Sequence, residues 1–208
     1  AFGVPPERLA VVPHPIASAD GAAREIGDPV RFGFVGNIAP AKGVHLLCDA
    51  FSRVRGDSVL RLFGGTPDNS YFRRLRPYLN SRVTYEGAFD QSSLSEVYGA
   101  IDVVVIPSLV EESFSLVASE AQEHGRPVIA AATGALPEVV DHERNGLLVP
   151  PGDVSALAAA IARCQDRTEV ERMAAVARSP ADASAYAGKI EEIYRLVTAR
   201  AARATSTP

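Results

Sequence analysis

The chain has no tryptophan, one methionine and two cysteines in 208 residues. Cysteines as far apart as Cys48 and Cys164 build neither a disulfide framework nor a metal cage. Both fall in helix-like apolar stretches, where a buried thiol is the ordinary outcome. A reducing, cytoplasmic setting is therefore expected. The four histidines, His14, His45, His124 and His142, lack ligand-like spacing, and no Asp-x-Asp pair occurs, so neither a metal nor another cofactor is expected. The net charge is −4 with no block of lysine and arginine, which excludes the broad cationic face that a nucleic acid requires. No apolar run approaches the roughly 20 residues that span a bilayer, and no charged-then-apolar secretory leader opens the chain. The sequence begins at Ala1 and its one methionine is Met173, as expected of a piece of a longer protein. Membrane association remains open to the part outside it.

What is present is a globular composition, 47% apolar and 22% charged, in a length suited to one well-buried domain with appendages. Apolar runs of strand length alternate with amphipathic runs of helix length, the pattern of a parallel sheet covered on both faces. Strands are predicted at Arg31–Gly36, Val59–Gly65, Arg82–Gly87, Asp102–Ser108, Pro127–Ala131 and Gly146–Pro150. Helices are predicted at Lys42–Val54, Asn69–Leu79, Ser92–Ala100, Phe114–His124, Leu136–Val140 and Val154–Cys164. The fold class is thus α/β, Rossmann-like, in three α/β/α layers with about six parallel strands. Residues 1–28, proline-rich with a short strand-like run LAVV, are expected to form a linker. Residues 29–165 are the expected domain, and 166–208 the expected C-terminal helices, broken at Ser179–Pro180 and frayed at the ATSTP end.

Ligands of such sheets bind at the carboxyl edge of the strands, where strand order reverses. The stretch VGNIAPAKGVHLL, Val35–Leu47, lies there. It places Lys42 at the expected first turn of a helix, so that unpaired helix amides and an ammonium can face one anion. Gly43 rather than a hydroxyl residue follows Lys42, which excludes a Walker loop, and the dinucleotide glycine spacing is missing. The bland alternative is a solvated lysine at a helix start, where the helix dipole slightly disfavours it.

The second stretch is PSLVEESFSLVASEA, Pro107–Ala121. Ser113 is predicted to cap a helix running from Phe114, with Glu112 just outside the cap and Glu120 in its second turn. At about 100° per residue the eight positions between the glutamates turn by roughly 80°, so the two carboxylates can serve one elongated ligand from different sides. The amides of Phe114 and Ser115 lie between them. Favourable electrostatics at a helix start account for Glu111 and Glu112 without a ligand. They do not account for Glu120 on a strongly apolar helix, where a dry, unpaired carboxylate is costly.

VGNIAPAKGVHLLCDAF, LFGG, VTYEGAF, DVVVIPSLVEESFSLVASEAQEHGRPVIA, TGALPEVV and NGLLVPPGD occur in this order between Pro29 and Ala162. So ordered, they resemble the C-terminal, donor-binding domain of the retaining GT-B glycosyltransferases of family four. The resemblance implies one half of a GT-B fold that binds a nucleoside-diphosphate sugar, UDP-, GDP- or ADP-linked, for retaining transfer to an acceptor held by a missing N-terminal domain. It implies that Glu112 contacts the transferred sugar, Glu120 accepts hydrogen bonds from the ribose, and Lys42 binds the diphosphate. Gly36 matches the glycine that lets the backbone approach the phosphates, Ala88 and Phe89 the region of the nucleobase, and Phe114, Ser115 and Leu116 the residues whose amides touch sugar and phosphate.

Two positions depart from that pattern. Asn37 stands where the family most often has an arginine of the diphosphate clamp, so a compensating cation is expected from Arg73, Arg74 or outside this chain. Ser115 replaces a frequent glycine, which is tolerable if only its N–H is used. The alternatives are a nucleotide-sugar epimerase of the same architecture and a non-catalytic nucleotide-binding or docking module. This chain alone is expected to bind nucleotide and not to transfer sugar.

Overall fold

A computed structural model of the protein describes residues 5, 8–10, 12, 25–66, 69–176 and 183–204. Most of the expected linker, the Ser179–Pro180 break and the last four residues of the ATSTP tail lie outside these; the described Leu9, Ala10 and Val12 of LAVV belong to no strand. The chain divides into two compact units, Ala1–Ser18 with Pro180–Pro208, and Ala19–Ser179. The first contains one long helix, Ala183–Ala204.

The second unit alternates strand and helix throughout: β1 (Arg31–Val35), α1 (Val44–Arg53), β2 (Val59–Phe63), α2 (Asn69–Leu75), β3 (Val83–Gly87), α3 (Leu94–Gly99) and β4 (Val103–Ile106). It continues with α4 (Leu116–Glu123), β5 (Val128–Ala131), α5 (Leu136–Val139), β6 (Gly146–Val149), α6 (Val154–Arg163) and α7 (Arg167–Ala174). All six predicted strands are present and pair in parallel in the order β3-β2-β1-β4-β5-β6. This is the Rossmann-like arrangement expected of half a GT-B fold.

Why the strands read as continuous apolar runs is visible in how their side chains divide. Successive residues of a strand point to opposite faces. On β4, Val103 and Val105 join the core under α1, α6 and α7, whereas Val104 and Ile106 join the core under α3, α4 and α5. On β5, Ile129 joins the first and Val128 and Ala130 the second. Both faces are covered, so both sets of positions must be apolar. Each fully buried valine, leucine, isoleucine or phenylalanine contributes on the order of 1.5–3 kcal/mol relative to exposure.

The order reverses between β1 and β4, and there the ladder is short. β1 pairs with β2 over five residues but with β4 only at Phe32↔Val103 and Gly33↔Val104. The base of this junction is fixed by charge. Asp102, wholly buried, accepts hydrogen bonds from the backbone N of Arg31 at 2.8 Å, from its Nε at 2.8 Å and from its Nη2 at 2.6 Å. The nearly buried Arg126 guanidinium stands 3.9 Å away. The hydrogen bond to Asp102 raises the Arg31 pKa further, so the guanidinium stays charged. With the amino-terminal ends of β1 and β4 fixed, their carboxyl ends carry the two loops that meet where strand order reverses.

Candidate functional site

The loop after β1 and the loop after β4 are stitched together at short range. Leu109 N donates to Ala41 O at 2.8 Å. Gly43, in the left-handed region at φ 66°, lies so close that a Cβ there would stand 2.1 Å from the Pro107 carbonyl oxygen. Lys42 does not begin a helix, as the sequence suggested. It closes a 3-10 turn, Pro40–Lys42, and Gly43 separates it from α1. The start of α1 is also not an open anion site, because His45 N donates to the Tyr71 hydroxyl at 3.1 Å and Leu46 N to Gly43 O at 2.9 Å.

Lys42 instead reaches the other loop. Its Nζ donates to Glu112 Oε1 at 2.9 Å, and Oγ of the fully buried Ser108 donates to the same oxygen. The backbone of Glu112 is held from a third direction. Its carbonyl accepts from Ala135 N at 2.8 Å, and Gly134 packs so tightly that a Cβ would lie 2.4 Å from Glu112 N. The loops after β1, β4 and β5 thus converge on one glutamate. Its position is not set by α4, so the angular argument from helix geometry does not apply to it.

α4 begins two residues later than predicted, and its cap is Ser115 rather than Ser113. Ser115 adopts extended backbone angles, φ −100° and ψ 92°, and its buried Oγ accepts from Ala118 N at 3.3 Å. The serine that replaces a frequent glycine therefore supplies a side-chain acceptor that glycine lacks. The amides of Leu116 and Val117, ahead of Ala118, have no intrahelical partner by the geometry of any helix start. Phe114 is half-buried just before the cap, and Leu116 is exposed. Glu120 follows Leu116 by four residues, hence on the same helix face one turn further in.

The Glu120 carboxylate is half-buried and has one strong partner. The hydroxyl of Tyr98, from α3, donates to Glu120 Oε2 at 2.8 Å. The Tyr98 ring is wholly buried and stacks on the His124 imidazole, with centroids 4.7 Å apart and planes 19° from parallel. Burial pushes the Glu120 carboxyl above the usual carboxylate range, and the Tyr98 hydrogen bond opposes that rise. Burial likewise raises the Tyr98 phenol and lowers the His124 imidazole, so both rings stay neutral near pH 7.

The remaining predicted residues sit around this edge. Gly36 follows the last residue of β1, and a Cβ there would meet nothing nearer than Phe34 Cζ at 3.8 Å, so the space beside its backbone is open. Asn37 is exposed and takes no hydrogen bond from Arg73 or Arg74. Arg74 lies 5.9 Å from the Tyr71 ring centroid, beside the first turn of α1. Ala88, exposed, and Phe89, half-buried against the core under α3 and α4, follow β3. No hydrogen bond ties them to Lys42 or Glu112. Sequence reasoning missed Ser108, Gly134 and Tyr98. Ser108 had a signal, a small hydroxyl residue ending the most apolar strand; Tyr98 had none, being one more apolar residue of a helix. Among the described residues no three His, Cys, Asp or Glu side chains gather where they could hold a metal ion.

Residues 29–167 match the family of glycosyl transferases group 1. The chain belongs to that family. It is similar to the D-inositol 3-phosphate glycosyltransferase of Saccharomonospora viridis, 39% identical over an alignment of 171 residues that covers 74% of this chain and 39% of the relative. Among solved structures, it resembles a sucrose-phosphate synthase from Thermosynechococcus elongatus with a TM-score of 0.71 at 34% identity, over 83% of this chain and 46% of that one. It also resembles Anabaena Alr3699/HepE, solved in complex with UDP-glucose, with a TM-score of 0.71 at 27% identity, over 81% of this chain and 49% of that one. This group 1 glycosyl transferase chain spans less than half the length of these relatives.

Proposed function

We propose that the chain is the donor-binding half of a retaining glycosyltransferase and holds a nucleoside-diphosphate sugar in the crevice between β1 and β4. The observation that carries this reading is the contact between Lys42 Nζ and Glu112 Oε1 at 2.9 Å, made across the point where strand order reverses. In a sugar nucleotide the outer phosphate and the sugar are bonded neighbours. A cation for the one and a carboxylate for the other must then also be neighbours, and these two are. The amides that open α4 face the same diphosphate, Glu120 takes the ribose, and the loop of Ala88 and Phe89 takes the base. The complex of Alr3699/HepE with UDP-glucose makes a UDP-sugar the first donor to test.

In the reaction, the bond from the anomeric carbon to the diphosphate oxygen breaks as the acceptor oxygen bonds to the same face of the sugar. The acceptor proton leaves with the diphosphate. Negative charge builds on the departing oxygen, and fixed donors aimed at that charge lower the barrier. Lys42 and the α4 amides are those donors, while Glu112 orients the sugar ring. The acceptor belongs to a second lobe. Leu109, Val110 and Leu116, exposed by 41%, 45% and 49%, flank Glu112 along the chain, and exposed apolar side chains so placed suit a facing lobe. A thermal-shift screen of the chain against UDP-, GDP- and ADP-sugars tests the reading. One donor class should raise the melting temperature in a concentration-dependent way, and no shift with any of them would count against it.

A further inference from the structure

We infer that Tyr98 is a positioning residue for the ribose: its hydroxyl holds one oxygen of Glu120 so that the other is presented to a ribose hydroxyl. The inference rests on the donor-site reading above and deepens it. Tyr98 is wholly buried, so its hydroxyl must find a partner inside the protein. It has one hydrogen to give and two acceptors in reach, Glu120 Oε2 at 2.8 Å and Val117 O at 3.5 Å. The nearer and charged acceptor takes it. A carboxylate on a helix has several rotamers, and one that must receive a ligand hydroxyl gains affinity when its rotamer is chosen beforehand. The tyrosine itself cannot shift to follow a wandering carboxylate. Its ring is stacked on His124, and α3, which carries it, packs with α4 over the same core. Tyr98 does not touch the ligand in this account. It acts through Glu120 alone.

The dependence on Glu120 gives a signature that a packing role lacks. Titration calorimetry is performed on the wild-type chain and on Tyr98→Phe with whichever of UDP, GDP and ADP binds tightest, and with its 2′-deoxy and 3′-deoxy counterparts. In the wild type, removing the ribose hydroxyl that Glu120 receives should cost about tenfold in affinity. In Tyr98→Phe that cost should shrink to about twofold or less, while the affinity for the matching deoxynucleotide stays near wild type. Thermal melting of the variant shows that it is folded under the conditions of titration. Glu120→Gln serves as the second variant and should lose the same ribose discrimination. If Tyr98→Phe weakens ribo- and deoxynucleotides alike, or keeps the full wild-type discrimination, the positioning role is wrong and the donor site stands. If the wild type binds none of the three nucleotides, both readings fail.

Discussion

A carboxylate that serves a ligand needs one oxygen held and another left over, and Glu112 and Glu120 meet this need by different means. Glu112 has Lys42 and Ser108 on Oε1, within a backbone gripped by Gly134 and Ala135. Ser108→Ala removes one of those restraints. It should weaken binding of a UDP-sugar by about fivefold while leaving UDP itself nearly unchanged, since a hydrogen bond to a charged group contributes about 1.5–3 kcal/mol at most; calorimetry with the two ligands checks the difference. Glu120 is held by Tyr98 and by burial, which raises its pKa. The fold therefore prefers its neutral form, and the stability this group contributes is present below its unfolded pKa and lost as pH climbs through the raised folded value. Glu120→Gln imitates the neutral form at every pH. Its melting temperature relative to wild type should rise from acidic to neutral pH, and a fall over that range would contradict the burial of a working carboxylate.

At the scale of elements, the loops between strand and helix decide the site. Ser115→Ala removes the cap of α4 and should lower stability by about 1 kcal/mol in denaturant titration. Gly43→Ala puts a Cβ against the Pro107 carbonyl at a left-handed position. It should cost about 2–4 kcal/mol and loosen the Lys42–Glu112 contact as well. These details also mark where the sequence stopped being legible. The central strands could be read because double-sided burial leaves an unmistakable apolar run, as in VVVI of β4, while the edge strand β3, VTYEG, alternates instead, with Val83 buried and Thr84 and Glu86 exposed. Glu120 could be singled out because a carboxylate on a strongly apolar helix requires a reason, whereas Glu112, explicable by the helix start alone, stood out through the family resemblance. The 3-10 turn under Lys42 could not be foreseen, because it depends on Gly43 meeting Pro107, 64 positions along the chain. Nor could the choice between Ser113 and Ser115, two hydroxyls of the same capping chemistry, be settled from residue type alone. Tyr98 was invisible for a related reason: its hydroxyl matters only once α3 and α4 are side by side.

At the scale of the molecule, a parallel sheet in the order β3-β2-β1-β4-β5-β6 offers one place where neighbouring loops lead to opposite sides, and Lys42 and Glu112 meet there. Among the described residues no helix is long and apolar enough to cross a membrane. The chain spans less than half of the Saccharomonospora viridis relative and of the sucrose-phosphate synthase it resembles, and the function proposed above leaves the acceptor to a second lobe. It should therefore bind a sugar nucleotide and release no transferred product when given donor and acceptor together; chromatographic detection of robust transfer by the isolated chain would oppose that division of labour. In the proposed complex one donor bridges Lys42 and Glu120. Titration calorimetry of the wild type, Lys42→Met and Glu120→Gln with a UDP-sugar, then with GDP- and ADP-sugars, tests it most directly. The wild type should bind one donor class saturably and 1:1, and each variant should lose about tenfold or more in affinity. Binding that neither substitution weakens, or no binding of any donor by the wild type, would contradict it.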